Sequence, residues 1–242
     1  MPARIHCHQP LSDVSSIELV GDSARHIQVL RMQPGDAVTL FTGRPGEGEW
    51  DARITAMTRS SVSVDLVTHR LIERENRVRV HVAVAVPAND RMDTLVEKAT
   101  ELGVTSLTPL LAQRSVWKTS SDKAARKVEH WQGVANAACE QCGRNTVPVI
   151  HPLQSLETWL QSAGWHVNSA RWIAHPSGLE PASPQATQSG EHWVLIGPEG
   201  GWSDNEVELA QQRGFQSLDL GPRILRTDTA VWASIWTLNQ AA

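Results

Sequence analysis

Two short stretches near the end of the chain carry residues whose types suit ligand binding. They are Gly197-Pro198-Glu199-Gly200-Gly201-Trp202 and Gly221-Pro222-Arg223-Ile224-Leu225-Arg226. Each follows an apolar run, His192–Gly197 or Phe215–Leu220, and each precedes a helical pattern. Ligands of open α/β sheets bind beyond the carboxyl ends of the strands, and glycine there lets a ligand approach the backbone. Neither loop has the spacing of a dinucleotide or P-loop fingerprint, and neither holds a lysine for a triphosphate. Backbone donors and acceptors without strong charge suit a nucleoside-like ligand. Two tight turns that need Gly and Pro for geometry alone fit the same residues.

Two other spacings invite a metal reading. Cys139-Glu140-Gln141-Cys142 has C-x-x-C spacing, but a zinc site needs about four ligands and no second pair is evident. The two cysteines read more simply as small packing residues. His6-x-His8 likewise lacks partner ligands, and no metal is expected.

The elements that must position the loops change character along the chain. Residues 1–70 read mostly as strands, with clear patterns at Val38–Phe41, Ala52–Met57 and Ser61–Val67, turns at 32–36 and 43–48, and one helix at Ser23–Leu30. Short strands with frequent turns suggest a small barrel. Arg70–Arg79 reads as a charged linker. Strands and helices then alternate, which predicts a mostly parallel sheet. Val78–Val86, Val104–Leu111, Val147–Ile150 and Arg171–His175 read as strands. A helix capped by Asn89 or Asp90 buries Met92, Leu95, Val96, Ala99 and Leu102 and stops at Gly103. A longer one, Ser121 to Cys142, buries Val128, Trp131, Ala135, Ala138 and Cys142. Leu156–Ala163 is a third, and Pro176–Glu191 reads as a loop. Ser203 and Glu206 form a capping box, and Thr227 caps the last helix with Asp228 in its first turn.

Composition bounds the rest. The chain has 242 residues and a net charge of −4, with ten Trp, two Phe, no Tyr and three Cys. The sparse cysteines argue against a secreted disulfide framework. The start, MPARIHCHQPL, lacks the apolar core of a signal peptide, and no apolar run reaches the ~18 residues of a membrane span. A cytoplasmic protein is expected. The charge is uneven. Between Arg171 and Arg213 there are six acids and no Lys or Arg, so the remainder carries +2. Within Arg114–Arg144 six bases face three acids, which fits either a phosphate footprint or a solvated helix face.

The loop sequences, GPEGGWSDNEVELA and LDLGPRILRTDTA, resemble the cofactor end of the SPOUT-class RNA methyltransferases. More narrowly they resemble the family that methylates uridine N3 in small-subunit 16S rRNA. NDRMDTLVEKATELGVTSLTPLLAQRS, ACEQCGRNTVPVI and HIQVLRMQPGDAVTLFTG extend the resemblance over nearly the whole chain, in order. It implies an α/β catalytic domain with a C-terminal trefoil knot over residues 73–242, preceded by a PUA-like β-barrel over 1–72. It implies S-adenosyl-L-methionine as cofactor, 16S rRNA in the small ribosomal subunit as partner, and a homodimer. The cofactor would lie against His175, Leu195, Ile196, Gly197, Pro198, Glu199, Gly200, Gly201, Leu220, Gly221, Ile224, Leu225, Arg226 and Thr227, with Pro176 beside His175. Asp228, Glu140 and Arg144 are the catalytic candidates, with Glu199 a further proton acceptor. Arg4, Arg25, Arg31, Arg91, Arg114 and Arg144 are the RNA-binding candidates. Helix or loop salt bridges are the alternative role of each charged residue. Trp202, Cys142 and Asp228 stand where the family commonly has Phe, Ser and Glu. The shorter Asp228 lends some weight to a non-catalytic RNA-binding or ribosome-assembly protein. Another rRNA or tRNA nucleotide as target is the other alternative.

Overall fold

The computed structural model describes residues 2–88, 91–117, 120–162, 164–175 and 190–240. The chain forms two compact units. One is Met1–Glu75 with Asn136–Val147, and the other is Asn76–Ala135 with Pro148–Ala242.

The first unit contains β1 (Ala3–His6), β2 (Ser16–Val20), α1 (Gly21–Val29), β3 (Ala37–Phe41), β4 (Glu49–Met57) and β5 (Ser61–Arg70). They make one five-stranded sheet in the order β1-β3-β4-β5-β2. Only the β1–β3 pair is parallel. Register shifts between β4 and β5 at Asp51/Ala52 and Ile54/Ala56 bend the pair, as bulges do. Ile5, Leu19, Ile27, Val38, Leu40, Ile54, Val62 and Val64 meet in its core. β1 and β2 are absent from the sequence reading, being only four and five residues long, too short for alternation to mark them out.

The second unit begins with β6 (Arg79–Ala85), α2 (Met92–Glu101), β7 (Ser106–Leu111) and α3 (Ser121–Cys142), the last turns of which belong to the first unit. It continues with β8 (Val149–Ile150), β9 (Gln154–Ser155), α4 (Leu156–Ser162), β10 (Ala170–Ala174), β11 (Glu191–Ile196), α5 (Asp204–Gln212), β12 (Gln216–Ser217) and α6 (Thr227–Gln240). The sheet order is β12-β10-β11-β6-β7-β8, with β9 on β7. Every pair is parallel. All carboxyl ends therefore share one edge. Ala83, Leu110, Leu156, Trp159, Ile173, Leu195, Trp202, Ala210 and Phe215 pack one face of this sheet.

Several expectations are corrected. The Phe215–Leu220 strand shrinks to two residues: the bond from Leu218 N to Ile173 O is the last to β10, and the chain then turns through Asp219. In α3 it is Cys139 that is buried, whereas Cys142 is intermediate. Arg91 holds the N-cap position of α2 in helical geometry with no side-chain cap. Asn89 and Asp90, the expected caps, lie outside the described residues, as do Pro176 and the 176–189 stretch. The capping box at Ser203 and Glu206 forms as read.

Candidate functional site

The parallel sheet brings the ends of β6, β7, β10, β11 and β12 to one edge, and the two glycine-rich loops follow β11 and β12. After β11, Leu195, Ile196 and Pro198 are buried. Gly201 N donates to Pro198 O at 2.8 Å and closes the turn. Gly201 has φ +68°, in the left-handed region that favours glycine. Close packing explains two more glycines. A Cβ on Gly197 would lie 3.2 Å from the Trp202 ring, and one on Gly200 would lie 3.2 Å from Arg114 Cβ.

Charged groups hold this loop from neighbouring strand ends. Glu199 Oε1 accepts from Ala88 N, beyond β6, at 3.0 Å. Arg114 Nη1, beyond β7, donates to Gly200 O at 3.2 Å and Trp202 O at 3.1 Å. Glu206, 3% exposed, accepts from Gln113 N and from Ser203 N, each at 2.8 Å. The sequence shows the local half of that role, the capping box. The bond to Gln113 spans 93 residues and leaves no sequence signal.

The second loop starts at Leu220, which is half-buried. Gly221 N donates to Asp219 Oδ1 at 2.7 Å. Ile224 is 87% exposed, Leu225 half-buried and Arg226 exposed. Thr227, expected as a helix cap, makes a long-range bond instead: its hydroxyl donates to Gly197 O at 3.0 Å and ties the loops together. Asp228 is half-buried, and its Oδ1 accepts from Thr229 N at 2.8 Å. His175 ends β10. Burial lowers its pKa from the ordinary histidine value, with Asp204 opposing and Arg114 adding to the shift, which favours the neutral imidazole. One sheet edge thus assembles His175, Arg114 and both loops.

The remaining candidates lie in other settings. Arg91 is half-buried at the start of α2. Arg25 and Arg31 are exposed on and just after α1. Arg4, Glu140 and Arg144 have their polar ends engaged inside the first unit. Arg4 pairs with Glu49, reaches Asn145 Oδ1 at 2.6 Å, and lies 4.8 Å over the Phe41 ring. Arg144 is 4% exposed and forms a two-point pair with Glu75 at 3.0 and 2.5 Å. Glu140 accepts from His6 N at 2.8 Å and meets His26 Nδ1 at 3.0 Å. Burial pushes the Cys139 thiol up to about 12. Among the described residues no cluster of His, Cys, Asp or Glu could hold a metal ion.

Comparison with known proteins agrees with this layout. A family described as an RNA methyltransferase domain matches residues 74–239, and one described as an RNA methyltransferase PUA domain matches residues 19–67. The chain is 31% identical over 237 residues to the ribosomal RNA small subunit methyltransferase E of Bacillus subtilis, covering 92% of this chain and 89% of that protein. The enzyme of the same name from Neisseria gonorrhoeae, solved bound to S-adenosylmethionine, superposes with a TM-score of 0.91 at 30% identity, over 99% of this chain and 98% of that one. A Legionella pneumophila protein solved with its cofactor SAM gives 0.89 at 33% identity, over 100% and 98%. With its PUA-like first unit and SPOUT-like parallel-sheet second unit, the chain belongs to the RNA methyltransferase family of ribosomal RNA small subunit methyltransferase E.

Proposed function

We propose that this chain transfers a methyl group from S-adenosylmethionine to N3 of one specific uridine in the 16S rRNA of the small ribosomal subunit, acting as a cytoplasmic homodimer. The observation that carries this reading is the pair of glycine-rich loops at the carboxyl edge of the parallel sheet, tied by the Thr227–Gly197 bond. The names of the relatives and the S-adenosylmethionine in the Neisseria structure support it. The domain reading of 1–72 and 73–242, with a knotted C-terminal segment, is part of the same proposal.

The residues at the edge fit the cofactor. At Gly197 and Gly200 a Cβ would come within 3.2 Å of Trp202 or Arg114, so glycine lets the loop pack closely against these two side chains. Leu195, Ile196 and Leu225 offer apolar surface, and the backbone groups of Leu195–Gly201 and Leu220–Thr227 offer donors and acceptors for the adenosine and methionine parts. Glu199 and Arg114 face backbone groups of the protein, so they shape the loop. The bound cofactor supplies a methyl group on a sulfonium, primed for in-line displacement.

The protein must then hold the uracil in line and accept the N3 proton. A base in folded RNA must first leave its stack. Arg91 and Arg226 stand around the sheet edge for phosphate contacts, and Arg25 and Arg31 are exposed cations of the PUA-like unit. Ile224, 87% exposed, and Trp236, 59% exposed on α6, supply apolar surface for a second copy.

The test uses small subunits from cells lacking the protein, incubated with it and isotope-labelled S-adenosylmethionine. Label in a single 3-methyluridine of 16S rRNA is the expected result. Label in another nucleoside overturns the target, and no label with cofactor bound overturns the activity on this substrate.

A further inference from the structure

The basic zone between Arg114 and Arg144 separates into two kinds of residue. Its ends are spent inside the protein: Arg114 holds the β11 loop and Arg144 pairs with Glu75. Lys118 lies outside the described residues. Lys123, Arg126 and Lys127 occupy the first two turns of α3 and are exposed. Arg126, Lys127 and His130 follow Lys123 at spacings of three, four and seven. On a helix of about 3.6 residues per turn those spacings form one stripe. Ala124 and Trp131 turn from the same helix into the core.

Local physics does not favour this stripe. Lys123 faces Arg126 and Lys127 three and four residues on, where like charges repel. Lys123 also sits in the first turn, where the helix dipole favours an anion. Arg126 has Asp122 four residues before it and Glu129 three after. Even so, neither the Arg126 nor the Lys123 side chain forms an ion pair or hydrogen bond among the described residues. At the far end His130 Nε2 meets Asp93 Oδ2 of α2 at 2.8 Å. Lys123 and Arg126 therefore carry the open charge.

The stripe is fastened to the sheet edge that bears the glycine-rich loops. Lys127 lines one small cavity together with Val86 and Pro87, the first residues past β6. Ala88, next in the chain, donates its N–H to Glu199 of the β11 loop at 3.0 Å. Trp117 packs on Trp131 of α3 with ring centroids 6.3 Å apart. It follows by three residues Arg114, whose guanidinium binds Gly200 and Trp202.

We propose that this face of α3 docks the phosphate backbone of the substrate RNA, with Lys123 and Arg126 as its contacts. The inference rests on the 16S rRNA reading above and adds to it a surface on the second unit. Long exposed cations pair with phosphates and read no base edges. A polyanion laid along the stripe offsets the repulsion among its cations and their conflict with the dipole together. The face supplies affinity and salt dependence, and the choice of nucleotide is left to the sheet edge.

The test compares Lys123→Ala/Arg126→Ala with Lys98→Ala/Arg213→Ala, a control of equal charge change on the same unit. Binding to small subunits is measured across a range of salt concentrations. Loss of two phosphate contacts should make the slope of log affinity against log salt shallower by about 1.4–1.8, at ~0.7–0.9 per contact, and lower affinity at low salt about tenfold or more. The control should keep the wild-type slope. S-adenosylmethionine affinity should match wild type, and the melting temperature should hold or rise, because repelling neighbours are removed. A further variant carries a diazirine side chain in place of Arg126, and on irradiation it should attach to 16S rRNA. Unchanged affinity and slope, or a loss shared by the control, overturns the docking face. Attachment to a subunit protein alone, or to nothing, overturns its RNA occupant. If the wild type makes 3-methyluridine while the double variant binds normally, the face falls and the uridine reading stands. If the wild type methylates another nucleoside while the double variant shows the expected loss, the uridine reading falls and the face stands.

Discussion

Thr227 and Gly197 are 30 residues apart in sequence and joined by one hydrogen bond of 3.0 Å. Through it, the start of the last helix is tied to the residue that follows β11, which links the two glycine-rich loops. Thr227→Val keeps the shape and removes the hydroxyl, leaving the Gly197 carbonyl without that donor. A loss of about 1–3 kcal/mol in stability is expected, together with weaker S-adenosylmethionine binding by calorimetry. Thr227→Ser should restore both.

Gly200 packs closely against Arg114, where a Cβ would come within 3.2 Å of Arg114 Cβ. Gly200→Val should displace the Arg114 guanidinium from the carbonyl oxygens of Gly200 and Trp202. Cofactor affinity is expected to fall at least about tenfold, the equivalent of ~1.4 kcal/mol. Binding of RNA to the PUA-like unit, measured without cofactor, should not change.

Glu49 is 5% exposed and receives Arg4 and Arg74. Burial works to raise its pKa, yet the hydrogen bonds from Arg74 and Arg4 hold it at about 2. A carboxylate depressed on folding adds stability above its unfolded pKa of about 4.5 and loses it as pH falls toward the folded value. The first unit should therefore lose stability between about pH 4.5 and pH 2, by an amount on the order of 3 kcal/mol. Glu49→Gln should reduce that dependence, as read by denaturant melts across this range.

Glu140 binds His6 N and His26, so its replacement should act on folding. Glu140→Ala leaves the His6 N–H without its acceptor and is expected to cost about 1–3 kcal/mol. Single-turnover methylation per folded molecule should match wild type. A collapse of that rate with unchanged stability would instead make Glu140 catalytic.

Trp236 is 59% exposed on α6, although Val231 and Ile235 of the same helix are fully buried. The proposed homodimer would use this surface, so Trp236→Ser should lower the mass seen by sedimentation below that of the wild type at the same concentration. A mass unchanged at every concentration would remove this helix from the interface.

The fold was legible where period and punctuation agree. α3 was read with its observed ends, and the capping box at Ser203 was visible as a local pattern. The glycine loops were visible too, because glycine and proline mark turns whatever surrounds them. Long-range partners were not legible. Glu140 and Arg144 have the residue types of a reactive acid and a phosphate-binding base, but their roles depend on His6, His26 and Glu75, far away in sequence. Thr227 looked like a cap because helix starts favour threonine, and the carbonyl it binds belongs to another strand.

The discontinuity of the first unit has a consequence for synthesis. Its final piece, Asn136–Val147, is made only after β6, β7 and most of α3. Domains ordinarily fold in the order they leave the ribosome. Here the strands of the first unit emerge early, but Arg4 and Glu75 must wait for Asn145 and Arg144 to meet them. A fragment cut after Glu75 would carry those side chains unmatched, and the complementary fragment would present Cys139 and Arg144 uncovered. Gene dissection at the apparent linker therefore separates stretches of sequence without separating two self-sufficient folding units.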